Sequence, residues 1–161
     1  MKRLILAIFM ILSMAGYALA DGTVVATFEQ VDKQTRLIKY AITGDASDGS
    51  MSAISTDDYS YRSMNYTSLI RGWDLVSVWA YPTSGGTAPT TDSDFTVTEN
   101  GLDLLATQGT DQISNTATLA TYTKIDGAAA EVRILGALTV TVTNQAVHSA
   151  TYTIELRFEK N

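Results

Sequence analysis

The sequence contains no cysteine, two prolines and a single histidine in 161 residues. Without cysteine there is no disulfide framework, so the fold must depend on a hydrophobic core or on contacts with partners. One histidine without any cysteine also supplies too few ligands for a zinc site of nitrogen and sulfur. We therefore expect a domain that is held together by packing and carries no cofactor.

Basic residues are scarce as well, with 11 Lys and Arg against 17 Asp and Glu and a net charge of -6. Binding to nucleic acid phosphates or to anionic membrane surfaces needs clustered basic side chains. The acidic balance therefore argues against nucleic acid as a partner.

The first 20 residues, "MKRLILAIFMILSMAGYALA", have the pattern of a secretory signal peptide. A basic start at Lys2 and Arg3 precedes an apolar run over residues 4–14, and Ala18-Leu19-Ala20 has the form of a cleavage site. We predict cleavage before Asp21, which leaves residues 21–161 as a single domain with net charge -8, from nine basic and 17 acidic residues. One alternative is an uncleaved membrane anchor, although the run is shorter than the ~20 residues that span a bilayer. The other is that residues 1–20 are kept as an apolar N-terminal arm.

Most of the remaining chain has apolar residues at every second position, which is typical of strands with one buried face. At the C-terminus, apolar residues alternate with polar ones over residues 138–143 and again over residues 151–158. This pattern predicts a β-hairpin. Strands are also predicted over Val24 to Gln30, Arg36 to Thr43 and Ser50 to Ser55, with "TGDASDGS" as a turn.

The segment "WDLVSVWAY", Trp73 to Tyr81, is apolar on both predicted faces and therefore indicates a central strand. A regular alternation places Trp73, Leu75 and Trp79 on one face and predicts that both tryptophans belong to the core. Together with "DQISNTATLATYT" and "EVRIL", the chain has eight or nine short strands and no evident helix. We predict an all-β fold, an antiparallel β-sandwich with a jelly roll as one form of it.

The stretch "YPTSGGTAPTTDSDFTVTENGLDLL", Tyr81 to Leu105, brings several carboxylates together and so suggests a calcium loop. Those carboxylates belong to Asp92, Asp94, Glu99 and Asp103. The spacing departs from the known calcium-loop template, because Thr96 stands at the third ligand position and no glycine follows it. The pattern favours two strands joined by a tight turn at Asn100-Gly101, and we predict no metal site.

The sequence contains few candidate catalytic residues. His148 lies in a predicted turn, and there is no G-x-S-x-G motif. The sequence leaves two catalytic alternatives, a serine triad that the fold brings together and a pair of facing carboxylates, because sequence order does not fix either arrangement. We predict that the protein is not an enzyme.

A cluster of aromatic and basic residues in "DDYSYRSMNYTSLIRGW" suggests a binding surface. Tyrosine and arginine are enriched at protein interfaces. Exposed aromatic rings can also support sugar rings, and Trp73 and Trp79 would complete such a platform if they did not belong to the core. The candidate interface or glycan contacts are Tyr59, Tyr61, Arg62, Tyr66 and Arg71.

Three segments, "YPTSGGTAPTTDSDFTVTENGLDLL", "SNTAT" and "GALTVTVTNQAVHSATYTIELRF", together resemble small β-rich structural proteins of tailed bacteriophages and prophages. The upstream "RLIKYAITGDASDGSMSAIST" is similar to the opening hairpin of this group, so the likeness covers most of residues 36–158. The resemblance implies a non-enzymatic virion component, a capsid decoration or tail-associated protein, that docks through its surface on other virion proteins or on copies of itself.

Two functions and two locations follow as expectations. The first function is the virion-type structural protein, and the alternative is a secreted or periplasmic carbohydrate-binding module that uses the Tyr59 to Trp73 region. The first location is the virion. The second is the periplasm or the medium after cleavage before Asp21, with no stable membrane span left.

Overall fold

The computed structural model of the protein describes residues 22–125 and 128–160. Two antiparallel sheets pack face to face around one hydrophobic core, and this confirms the predicted all-β sandwich. The predicted signal peptide, residues 1–20, lies outside the described residues. Among the described residues, no helix is long and apolar enough to cross a membrane.

The first sheet contains β1 (Thr23–Gln30), β2 (Thr35–Thr43), β6 (Asp74–Pro82), β9 (Leu119–Tyr122), β12 (Val132–Arg133) and β14 (Thr151–Glu159). The second sheet contains β3 (Ile54–Ser55), β7 (Asp94–Glu99), β8 (Leu102–Asp103) and β13 (Leu138–Thr143). Two small ribbons pair β4 (Ser60–Tyr61) with β5 (Met64–Asn65) and β10 (Lys124–Ile125) with β11 (Ala128–Ala129).

The strand β14 lies at the centre of the first sheet, between β2 and β6. Its alternate side chains are fully buried, namely Tyr152, Ile154, Leu156 and Phe158. The buried side chains of the second sheet that belong to the same core include Phe95, Val97, Leu138 and Val140. The alternating sequence therefore forms two half-buried sheets, because each strand has one apolar face to bury.

The strand-turn-strand predicted around Asn100-Gly101 is confirmed. The strands β7 and β8 pair, with Glu99 opposite Leu102. Asn100 has φ 50° and Gly101 has φ 82°, the positive values that a two-residue hairpin of the mirror-image type requires.

The predicted C-terminal hairpin is wrong in its pairing, although both of its strands exist. The strand β13 pairs with β7 and β3 in the second sheet, whereas β14 pairs with β2 and β6 in the first. The connection over residues 144–150 therefore crosses from one sheet to the other. Alternation identifies the buried face of a strand but not its partner, and this connection is longer than a tight hairpin turn.

The predicted turn at residues 43–50 is also a crossing, since β2 belongs to the first sheet and β3 to the second. Of the strand predicted over Ser50 to Ser55, Ile54–Ser55 is strand. The two crossings are hydrogen-bonded to each other. The Gly44 amide donates to the Ala150 carbonyl at 2.8 Å, and the Ser149 amide donates to the Asp45 carbonyl at 3.0 Å.

One short helix, α1 (Tyr66–Ile70), closes the end of the core next to β5. The Asn65 side chain caps it by accepting a hydrogen bond from the Ser68 amide at 2.9 Å. Tyr66, Leu69 and Ile70 are buried. Five residues are too few for a helical periodicity to be visible in the sequence, and α1 was not predicted.

The hydroxyl of Tyr152 is buried and has no hydrogen-bond partner among the described residues, and burial raises the pKa of this side chain. A buried polar group without a partner costs about 1–3 kcal/mol. We therefore expect Tyr152→Phe to raise the free energy of unfolding by about 1 kcal/mol in urea titrations. Tyr81→Phe is the matched control, because the Tyr81 hydroxyl donates to Glu155 at 3.5 Å. A loss of stability in Tyr152→Phe would contradict this interpretation.

The Asp45 carboxylate in the first crossing accepts hydrogen bonds from the hydroxyl and the amide of Ser47, which hold its pKa below the usual value. A lowered folded-state pKa stabilises the fold above the unfolded value of ~3.9. We expect this stability to be lost as the pH falls through the folded-state pKa. Unfolding midpoints between pH 6 and pH 2 should then fall less steeply for Asp45→Asn than for the wild type. Parallel curves would show that Asp45 makes no contribution.

Candidate functional site

The outer face of the first sheet carries an open groove of about 410 Å³ beside the central strand β6. Residues of β6, β9 and β14 line it together with the segment at Ala130 and Glu131. The lining residues that matter chemically are Trp79, Tyr122, Arg157, Glu159, Glu131 and Ser77. The groove therefore combines two aromatic rings with charged and hydroxyl groups.

A β-bulge in β6 shapes this groove. Ser77 pairs with Arg157 and Leu75 pairs with Phe158, so Val76 is an extra residue with no partner in β14. Leu75 before the bulge and Val78 after it both face the core and are fully buried. The extra residue therefore shifts the alternation of β6 by one position and directs Trp79, which is exposed, and Ser77, which stays buried, to the outer face.

This bulge overturns the prediction that both tryptophans are core residues. Trp73 is buried, whereas 38% of Trp79 is exposed. A regular alternation from Leu75 places Trp79 on the same face as Leu75. The extra residue Val76 interrupts this alternation, so the two side chains lie on opposite faces. The prediction that this segment forms a central strand is confirmed, since β6 has β14 on one side and β9 and β12 on the other.

The two aromatic rings of the groove lie on neighbouring strands. Tyr122 pairs directly with Ser77, which is two positions from Trp79 on the same face of β6. Trp79 and Tyr122 are therefore diagonal neighbours across the two strands. Backbone positions in this relation are about 7–8 Å apart, which large side chains can span. The Trp79 indole N–H donates to the Ser77 hydroxyl at 3.2 Å, which fixes the orientation of its ring.

Charged side chains surround the rings in pairs. Arg157 forms an ion pair with Glu159 at 2.9 Å. Next to Trp79, Glu155 binds Lys39 at 3.4 Å and accepts a hydrogen bond from Tyr81. Partial burial alone lowers the pKa of Lys39, but the carboxylates of Glu155 and Glu29 more than offset this, so the pKa is raised. The outer face therefore has an ordered polar network at neutral pH.

Of the predicted contacts Tyr59 and Tyr66, Tyr66 lies in the core and Tyr59 is half-buried against it. Tyr66 is buried, and Tyr59 packs against Tyr66 and against Tyr40 with ring centroids 6.1 Å and 5.8 Å apart. Burial raises the pKa of both tyrosines. Their rings are therefore used in packing, and they form no open platform.

The other predicted contacts lie at the surface around this cluster. Tyr61 is 39% exposed, and its ring contacts Phe28 at 5.4 Å and the Arg62 guanidinium at 5.1 Å. Arg71 is exposed at the end of α1. Trp73 is covered by Arg36, whose guanidinium lies 3.9 Å from the ring centroid. The structure therefore brings Tyr61 and Arg62 together but separates both from Trp79.

Three of the four carboxylates of the suggested calcium loop, those of Asp94, Glu99 and Asp103, have separate protein partners. Asp94 accepts from the Asn144 amide group and from the Asp111 amide, while Glu99 binds the amides of Leu135 and Gly136. Asp103 accepts from two nearby backbone amides, and Asp92 has a φ of 64° in the preceding turn. Within residues 22–125 and 128–160, no group of three or more His, Asp or Glu side chains could hold a metal ion.

His148 is exposed in the crossing between β13 and β14, one residue before Ser149, which has φ 53°. The backbone around it is held by the Ser149 amide, which donates to Asp45. The structure thus places this histidine in a structural connection between the two sheets.

The groove residues Tyr122, Arg157 and Glu159 were not identified in the sequence. Tyr122 lies in a polar, threonine-rich segment, and the other two are polar positions of an amphipathic strand. Strand alternation does indicate that such side chains face outward. Nothing local in the sequence indicates that β9 and β14 lie on opposite sides of β6, which brings these residues to one place.

Comparisons with known proteins add no relative: no family model, no curated protein and no solved structure matches the chain.

The different exposure of the two tryptophans can be measured in solution. We expect Trp79→Phe to shift the fluorescence emission to shorter wavelength and to reduce quenching by acrylamide, because buried Trp73 is then the remaining emitter. Trp73→Phe is the matched variant and should stay readily quenched. Equal quenching of the two variants would contradict the outward position of Trp79.

Proposed function

We propose that the protein is a non-enzymatic, virion-type structural component, a capsid decoration or tail-associated protein, that docks through the edge of β1. The likeness of three segments to phage structural proteins supports the class. The edge strand supports the mode of action and is the observation that carries the proposal. The partner is a strand of a neighbouring particle protein, which would extend the first sheet by β-augmentation.

The strand β1 has the properties of an edge that accepts another strand. It pairs with β2 over eight consecutive positions without a bulge, which corresponds to about 27 Å of regular strand. Among the described residues β2 is its sole neighbour, so every second residue of β1 directs its N–H and C=O groups away from the sheet.

The residues of β1 do not protect this edge. Proteins usually block exposed edges with lysine, proline, a bulge or a covering segment. "TVVATFEQ" contains neither lysine nor proline, and its one charged residue, Glu29, is paired with Lys39 at 3.5 Å. Val25 is 64% exposed on the outer face. A long, regular and partly apolar edge of this kind favours pairing with another strand.

Parts of two segments that carry the resemblance lie together on the surface, which gives a second reason for a docking role. The loop at residues 83–88 and the segment at residues 115–118 line opposite parts of a groove of about 430 Å³. These segments are about 30 residues apart in the sequence. Their association forms a composite loop surface at the end of β6, of the kind that binds partners.

The assignment to particles is tested by mass spectrometry of gradient-purified particles and of the periplasmic and secreted fractions of the producing strain. We expect recovery at a fixed ratio to the major shell or tail protein. The N-terminal peptide distinguishes a chain that begins at Met1 from one that begins at Asp21. Recovery in the exported fractions alone would overturn the virion proposal.

The edge mechanism is tested by Val25→Lys, which places a charge on β1 without touching the core. We expect the variant to be as stable as the wild type to within about 0.5 kcal/mol, but to be depleted from particles several-fold. Leu135→Lys is the matched control, because Leu135 is 67% exposed away from this edge. Equal incorporation of both variants would contradict docking through β1.

A further inference from the structure

We propose that the groove beside β6 binds a neutral pyranose saccharide of one or two rings. This site differs from the Tyr59 to Trp73 region that the sequence suggested, and it does not depend on the proposed particle function. The argument rests on the aromatic pair, the charges around it, and the preformed geometry of the lining.

The aromatic pair supplies flat apolar surface to an otherwise polar face. Trp79 is 38% exposed and Tyr122 is 57% exposed, although both are large hydrophobic side chains. They lie on adjacent strands of a sheet whose other face packs against the core. Exposed aromatic rings that share a concave surface indicate a ligand, because single exposed side chains are common but grouped ones mark binding sites. A pyranose ring has one apolar face of C–H groups that fits such a surface.

The polar residues at the groove select for a neutral ligand that is rich in hydroxyl groups. Among the charged residues that line the groove, one is basic, Arg157, and two are acidic, Glu131 and Glu159. Phosphates and other anions are disfavoured by this balance. A sugar hydroxyl both donates and accepts hydrogen bonds, and it can therefore use guanidinium donors and carboxylate acceptors together.

The site is already formed without a ligand. The Ser77 hydroxyl holds the Trp79 indole, and Glu159 holds the Arg157 guanidinium. The bulge at Val76 fixes the strand that carries Trp79, and bulges are frequent next to binding sites. Since these side chains are ordered in advance, binding loses little conformational entropy. The volume of about 410 Å³ lies within the range of small-molecule sites, ~300–1,000 Å³.

The groove and the β1 edge can be occupied at the same time. The strands β2 and β14 separate β1 from β6, so a strand added to β1 does not cover Trp79. A strand paired with β1 would therefore leave the groove uncovered. The failure of one proposal leaves the other intact.

The test is isothermal titration calorimetry of the purified protein with maltose, cellobiose, lactose and chitobiose as probes, and with glucose and glucuronate as a matched neutral and anionic pair. We expect binding of at least one disaccharide and a roughly tenfold weaker affinity in Trp79→Ala and in Tyr122→Ala. Both positions are exposed, so circular dichroism should show that the variants are folded. Tyr61→Ala is the matched control, an exposed tyrosine outside the groove, and it should bind like the wild type.

Three results would overturn the proposal. The absence of binding for all four disaccharides would exclude a saccharide site of this size. Binding that is unchanged in both Trp79→Ala and Tyr122→Ala but lost in Tyr61→Ala would place the site at the other aromatic cluster. Stronger binding of glucuronate than of glucose would contradict the neutral ligand that the charges indicate.

Discussion

The structure depends on the burial of one face of β14 between β2 and β6. Four consecutive inward side chains of this strand, Tyr152 to Phe158, are completely buried. The strand pairs with β2 over residues 151–159 and with β6 over residues 152–159. This fixes the register of the first sheet, because a slip by one residue would expose the apolar set and bury its polar neighbours. The outer face, with the β6 groove, then follows from the same alternation.

Within this constraint, a single extra residue decides where the surface chemistry lies. The strand β6 buries both Leu75 and Val78 in the core. These positions are three residues apart, so in a regular strand their side chains would lie on opposite faces. The bulge at Val76 resolves the conflict and turns Trp79 to the outside. A large aromatic side chain is thereby exposed next to Tyr122 and the Arg157 ion pair. We interpret this departure from regular strand geometry as a feature of the binding groove.

The sequence predicted what depends on local pattern and missed what depends on pairing. Alternation identified the long strands, and Asn100-Gly101 identified its turn, because both signals lie within a few residues. The same signals could not show that residues 43–50 and 144–150 cross between sheets, since strand partners are set by the whole core. The sequence pattern does not indicate the bulge at Val76 for the same reason, and it therefore does not predict that Trp79 is exposed. Tyr59 and Tyr66 were proposed as surface contacts because composition does not distinguish a buried tyrosine from an exposed one.

The inserted position of Val76, with regular strand on both sides of it, is the feature on which the groove depends. It is tested most directly by removing Val76 and measuring urea unfolding together with saccharide binding. We expect the deletion variant to unfold cooperatively, with a free energy of unfolding lower by about 1–2 kcal/mol, because Leu75 and Val78 stay inward. We also expect it to bind saccharide more weakly than the wild type. If β6 were a regular strand, the deletion would turn one half of it over and bury polar residues. Loss of cooperative unfolding in the deletion variant would therefore contradict the account.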